Sequence, residues 1–219
     1  MLLDLTDLAC FVSQIERWQT LIGALVGGIM ALVVAFVVAN AQTRREQRAS
    51  AYILLVDLLA VQAADQSLTQ LAKGKAVSSD ELPLWLSEKL SWRRPRLSAL
   101  FQLQMVRVID VSASLSAHLS IFHMQYEALH EHLDRLEEDQ QLLRTKGANT
   151  APRSPAASKA DAVSVAQDFR SAADHAKCAA HYLDLLVLRS FPTFSRIRMR
   201  FFPMEVERLS KQLLSASTV

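Results

Sequence analysis

Apolar and polar positions along the chain fall into stretches of different period. The first, Trp18 to Thr43 (WQTLIGALVGGIMALVVAFVVANAQT), contains no charged residue. As a helix, Leu21 to Ala39 covers about 28 Å, close to the thickness of a bilayer's hydrocarbon core, and Trp18 stands where an interfacial aromatic belongs. The pattern predicts a transmembrane helix over residues 18–43. Ahead of it, Leu5, Leu8, Val12 and Ile15 recur at three-four spacing, which predicts a short amphipathic, extracytoplasmic segment over residues 1–17. After it no proline or glycine occurs from Arg44 to Ala72, so the helix is expected to continue until Lys73-Gly74-Lys75 stops it. Ala51 to Ala64 (AYILLVDLLAVQAA) is apolar on nearly every side except Asp57 and Gln62. Such a run must be covered by other helices. It is too short, and too close to the arginines before it, for a second span.

The stretch from Ser78 to Arg96 predicts a short helix around Leu84 to Leu90 and a break at Pro95. Trp85 and Trp92, beside Arg93, Arg94 and Arg96, are expected to cap the end of a bundle rather than touch lipid. From Leu97 to Lys146 a four-three alternation runs through Phe101, Met105, Val108, Ser112, Leu115, Leu119, Phe122, Tyr126, Leu129, Leu133, Leu136, Gln140 and Leu143, and only Ser112 and Gln140 depart from apolar or aromatic. That seam predicts one long helix with coiled-coil-like packing. Residues 147–160 have no apolar period and read as a flexible loop. From Asp161 to Arg189, Ala162, Val165, Phe169, Ala172, Ala176, Ala179, Leu183 and Leu186 form a second seam, its small residues suited to close antiparallel approach. Pro192 ends that helix, and a last one is expected over Met204 to Leu214. The fold class is therefore all-α: one N-terminal transmembrane helix continuing into a cytosolic bundle of long antiparallel helices, its first part over residues 44–146 and its second over residues 161–219.

Charge orients the span. Asp4, Asp7 and Glu16 lie before it, with Arg17 the one basic residue there, while Arg44, Arg45 and Arg48 follow it. The positive flank belongs in the cytoplasm, so the chain is expected in the inner membrane, single-pass, with its N-terminus outside and its C-terminus cytoplasmic. A cleaved signal peptide is the competing reading, since Ala39-Asn40-Ala41 has small residues at the right positions. The acidic leader, the length of the apolar run and the arginines directly after it favour the anchor. Within the span Gly23, Gly27, Ala31, Ala35 and Ala39 recur at every fourth position. This row of small side chains lets another helix approach closely, so a second copy or another membrane protein is the expected partner.

Composition adds bounds. The 219 residues are 51% hydrophobic, enough for an anchor and one domain of ordinary size. Of 24 lysines and arginines only Arg17 precedes Thr43, against Asp4, Asp7 and Glu16 of 22 acids, so the part after the span is mildly basic. Spread over such a length, that balance does not argue for nucleic acid. Cys10 and Cys178 fall on opposite sides of the span and cannot pair within one chain. Cys178 reads as a small buried residue, whereas Cys10 is available to cross-link copies in an oxidising compartment.

The tail runs from Phe191 to Pro203 as FPTFSRIRMRFFP, arginines alternating with apolar residues. Two readings stand side by side. Arg196, Arg198 and Arg200, with Arg44, Arg45 and Arg48, contact lipid headgroups, each contributing about 1 kcal/mol near an anionic leaflet. Alternatively Ile197, Met199 and Phe201 face the bundle and the arginines face water.

Candidate chemistry is sparse. Glu127-x-x-His130 has the spacing of half a di-metal bundle site, but His181-x-x-Asp184 reverses it and no further glutamates are placed to complete it. Asp174, Cys178 and His181 share a helix face, as three ligands of a zinc site would. His118, His123, His130 and His132 are spread around their helix, which favours solvated positions. There is no phosphate-cradling, dinucleotide or nucleophile-elbow motif. No catalytic residue, metal ligand or cofactor is assigned, and the chain reads as non-enzymatic.

The opening Trp18-Gln19-Thr20-Leu21-Ile22-Gly23-Ala24, followed by an apolar run and then arginines, resembles uncharacterised bacterial single-span inner-membrane proteins. The resemblance implies that membrane and no activity. The expected function is that of a membrane-anchored helical scaffold or assembly subunit, which associates through its span and presents a cytosolic helical hairpin to an unidentified protein partner. Two alternatives are a membrane effector that oligomerises and perturbs the bilayer, and a metal-binding helical-bundle enzyme.

Overall fold

A computed structural model describes residues 5–146, 155–189 and 192–216. Its regular elements are all helical, with no strand among the described residues: α1 Leu5–Gly74, α2 Leu82–Trp92, α3 Phe101–Val108, α4 Ala113–Lys146, α5 Pro155–Leu183, α6 Pro192–Phe201 and α7 Glu205–Ala216. A 3-10 turn, Ile109–Val111, follows α3, and a π-helical turn, Asp184–Leu188, follows α5. The chain divides into two units, Met1–Glu46 and Gln47–Val219.

The second unit holds the core. Leu54, Leu58 and Val61 of α1, Leu115, Leu119, Phe122, Leu129 and Leu133 of α4, and Val165, Phe169, Ala172, Ala176 and Leu183 of α5 are buried together. Each large side chain so buried contributes about 1.5–3 kcal/mol. α4 and α5 run antiparallel, since His118 meets His175 at one level and His132 meets Asp168 at another. α5 is also antiparallel to the α1 segment of this unit: Arg48 Nε donates to the Val187 carbonyl and Gln62 Nε2 to that of Ala176. The alanines of α5 are the small surface that larger residues of its neighbours pack on.

Several expectations change here. The helix expected over Leu97 to Lys146 is interrupted: Ile109–Val111 tighten into a 3-10 turn, and Ser112 is extended, at φ −162° and ψ 136°. Val106, Val108, Ile109 and Val111 are β-branched and stiff at χ1, which weakens the helix where serine then supplies a favourable start for α4. The seam still points inward on both sides of the break, with Phe101, Val108, Leu115, Leu119, Phe122, Tyr126, Leu129 and Leu133 buried. α5 begins at Pro155, before the expected Asp161, because proline is preorganised for a first helical turn and alanines follow it. The rest of the expected loop, residues 147–154, lies outside the described residues. The run Ala51 to Ala64 is covered on one side only. Ala51, Leu54, Leu58 and Val61 are buried while Tyr52, Val56 and Leu59 are exposed.

Polar groups fix the connections. Both the backbone N–H and the hydroxyl of Ser98 donate to Asp57 Oδ2, at 3.1 and 2.7 Å, which ties the start of α3 to α1 and explains the one acid in an apolar run. Arg94 pairs with Asp134 and Glu137 of α4. α1 ends at Gly74 as expected, yet the left-handed residue is Ala76, at φ 49°.

Candidate membrane-contacting surfaces and a buried polar cluster

From Leu21 to Val38 every side chain of the first unit is exposed, including Leu32 at 72% and Phe36 at 71%. The helix here is long and apolar enough to cross a membrane. Gly23, Gly27, Ala31, Ala35 and Ala39 lie along it, and a Cβ added at Gly23 or Gly27 would meet nothing within 4 Å. The smallness of these two glycines therefore answers no crowding by another part of the chain. Arg44 and Arg45 are exposed at its end.

In the second unit the tail forms two short helices of opposite character. One of the two readings of this stretch turns Ile197, Met199 and Phe201 inward. Only Met199 packs on the core; Ile197 and Phe201 are exposed. The segment is helical, so period 3.6 rather than 2 decides its faces. Phe194, Ile197 and Phe201 share the outward face, continued by Phe202 and Met204, while Ser195 is buried. Arg198 turns inward, its Nη2 2.5 Å from Glu207 Oε1. Arg200 is exposed, and the Arg196 side chain lies outside the described residues.

α7 does the reverse and buries polar groups. The Glu207 carboxylate accepts from Arg198, from His181 Nε2 at 3.2 Å and from the Met204 backbone N–H at 2.8 Å, which is its own helix's N-terminal cap. Burial alone would raise this carboxyl, but the Met204 N–H, His181 and Arg198 together hold it below its usual range. One turn on, Ser210 Oγ accepts from the Tyr182 hydroxyl at 3.0 Å and lies 2.7 Å from His118 Nε2. His118 Nδ1 in turn lies 2.8 Å from His175 Nδ1. One ring donates and the other accepts, so the pair is hydrogen-bonded only if at least one Nδ1 is unprotonated. Burial, and then the neighbouring His175, push His118 down to about 4. Burial lowers His175 as well, against the opposing pull of Asp174. Cys178 is buried under α7, its Sγ 4.0 Å from the Val206 carbonyl, and burial pushes its thiol up to about 11. A thiol so protonated is a poor nucleophile.

The histidines expected to be solvated are not. His118 is fully buried and His123, His130 and His132 are half-buried. Face counting on α4 alone missed that neighbouring elements wrap most of its circumference. Nor do the metal spacings assemble: Glu127 pairs with His123, His130 lies against the Tyr126 ring, Asp174 is exposed, and His181 is engaged by Glu207. Among the described residues no group of three or more His, Cys, Asp or Glu is placed to hold a metal ion. Trp85 packs against the core, while Trp92 is exposed on the wall of an open groove of about 590 Å³, with Leu68, Leu71 and Arg93. The residues that sequence reasoning missed are Glu207, Ser210 and Tyr182, for which the chain carries no local signal. Comparisons with protein-family models, with curated proteins and with solved structures each return no match.

Proposed function

We propose that this chain is a membrane-anchored helical scaffold or assembly subunit of a bacterial inner membrane, single-pass, with residues 1–17 outside and the second unit in the cytoplasm. The observation that carries this reading is the apolar stretch Leu21 to Val38, exposed along its whole length. Leaving such a run in water instead of lipid costs on the order of tens of kcal/mol. The arginines after Thr43 support the orientation, and the resemblance of the span's opening supports the compartment. The span associates with a second copy, or with another membrane protein, through Gly23, Gly27, Ala31, Ala35 and Ala39. The α4–α5 hairpin is the rigid part offered to a cytosolic protein.

Full-length protein carrying a C-terminal reporter tests this directly. The expected result is a membrane fraction resistant to alkaline carbonate and a reporter active only in the cytoplasm; carbonate release or a periplasmic signal overturns it. Gly27→Ile, whose new Cβ meets nothing within 4 Å beyond its own helical turn, is expected to reduce association in a membrane two-hybrid assay.

A further inference from the structure

α6 presents large apolar side chains outward at the end of the bundle where the chain enters the second unit. Phe194 is 70%, Phe201 67% and Phe202 77% exposed, with Ile197 between them on the same face. Two aromatics and an isoleucine on one side of a ten-residue helix, with Phe202 directly after its end, are more than the scattered apolar exposure that any soluble surface carries. The helix itself, PTFSRIRMRF, has three arginines and no acid. Aromatic and aliphatic residues on one face with arginine at the margin make the composition of a helix that lies in a membrane interface.

Its place in the fold says which surface can cover it. The π-turn Asp184–Leu188 leads into α6, and Arg48 donates to Val187 within that turn. Arg198 of α6 is held on Glu207, and Glu207 on His181, a short distance back along α5. α6 is thus fixed at the Arg48 end of the bundle. Arg48 follows Thr43 by five residues in the sequence, and five residues span at most about 18 Å. If Thr43 marks the cytoplasmic face of the span, chain length alone keeps this end of the bundle beside the bilayer.

We infer that α6 is a second membrane contact: the ridge Phe194, Ile197, Phe201 and Phe202 enters the interface of an anionic leaflet, with Arg200 on the headgroups. This rests on the reading of residues 18–43 as a span. Arg198 takes no part, because it neutralises Glu207 and so locks α6 to α7. The lipid contact is apolar at its centre and cationic at its edge, the inverse of the arrangement in which the arginines alone bind.

Full-length protein in proteoliposomes of phosphatidylcholine with phosphatidylglycerol tests it. Single fluorophores are placed at Ile197→Cys, at Thr69→Cys on an exposed part of α1, and at Ile29→Cys in the span, all with Cys10→Ser and the buried Cys178 retained. Quenching by doxyl groups on lipid is compared with quenching by iodide in water. The expected result is lipid quenching with iodide protection at positions 197 and 29, and the reverse at position 69. Replacing Arg200 with Gln is expected to raise the water-exposed share of the position-197 label about fivefold, and Phe201→Ser with Phe202→Ser to abolish its lipid quenching. A position-197 label open to iodide while position 29 is lipid-quenched overturns the second contact and leaves the span standing. A position-29 label open to iodide overturns the span and the inference with it. Protection of position 197 from both quenchers, with energy transfer between copies, assigns the ridge to a second chain and also overturns it.

Discussion

α6 and α7 are consecutive, similar in length, and built on opposite rules. α6 keeps Phe194, Ile197 and Phe201 outside and sends Arg198 in; α7 buries Glu207 and Ser210. A polar side chain is taken out of water without large penalty only when its partners are waiting. α7 meets that condition through Arg198, His181, Met204 and His118, so its position is specified by pairing. An apolar side chain left in water needs no partner but costs free energy until something covers it. The two helices are joined at Arg198 and Glu207, and the structure therefore ties a specified interior to an uncovered exterior.

The largest predicted effect comes from breaking that joint. Glu207→Ala leaves Arg198 and His181 half-buried without a carboxylate, and should destabilise the second unit by about 3 kcal/mol, read as a lowered urea midpoint of the full chain in nonionic detergent. A change near zero would mean that α7 contributes little to the fold. Cys178 gives a local readout of the same event: with Cys10→Ser, it should resist alkylation at pH 8 in the parent and react readily in Glu207→Ala.

The buried histidines give the next effect. In the unfolded chain His118 binds its proton near the ordinary 6.5, in the bundle only near 4. Between those values the unfolded state holds more protons, so stability is full above about 6.5 and falls as pH drops toward 4, by on the order of 3 kcal/mol. His175 acts in the same direction. Glu207, held below 4.5, adds a further loss as pH falls through its lowered value. Thermal unfolding followed by circular dichroism between pH 7 and 4 measures this. His118→Phe should flatten most of the slope, and an unchanged slope would place the titrating group elsewhere.

The smallest effect lies outside both helices and serves as a control. Ala76 holds a left-handed conformation that a Cβ disfavours. Ala76→Gly should raise stability by about 1 kcal/mol or less without altering the pH profile or the labelling of Cys178.

Much of the helical layout was legible along the chain. The uninterrupted run to Gly74, the breaks around Pro95 and Pro192, and the inward side of α4 follow from local pattern and backbone chemistry. The errors share a cause. The reading that turns Ile197, Met199 and Phe201 inward rests on a period of two, whereas this proline-started segment rich in arginine is a helix. The solvated position expected for His118 follows from one helix without its neighbours, which bury it completely. Glu207 and Ser210 are ordinary residues for an exposed helix, and nothing within several positions of either announces His181, Arg198, Tyr182 or His118.

Alone, the sequence decided that this protein is helical and that one stretch is too apolar, over too great a length, to be at ease in water. Those properties depend on each residue's own solvation and on spacing along one helix. Which polar groups are taken inside, and which phenylalanines are left outside, was decided only by the tertiary structure. Burial of a charge or a hydroxyl depends on what stands opposite it, and the partners of Glu207 and Ser210 come from three different helices.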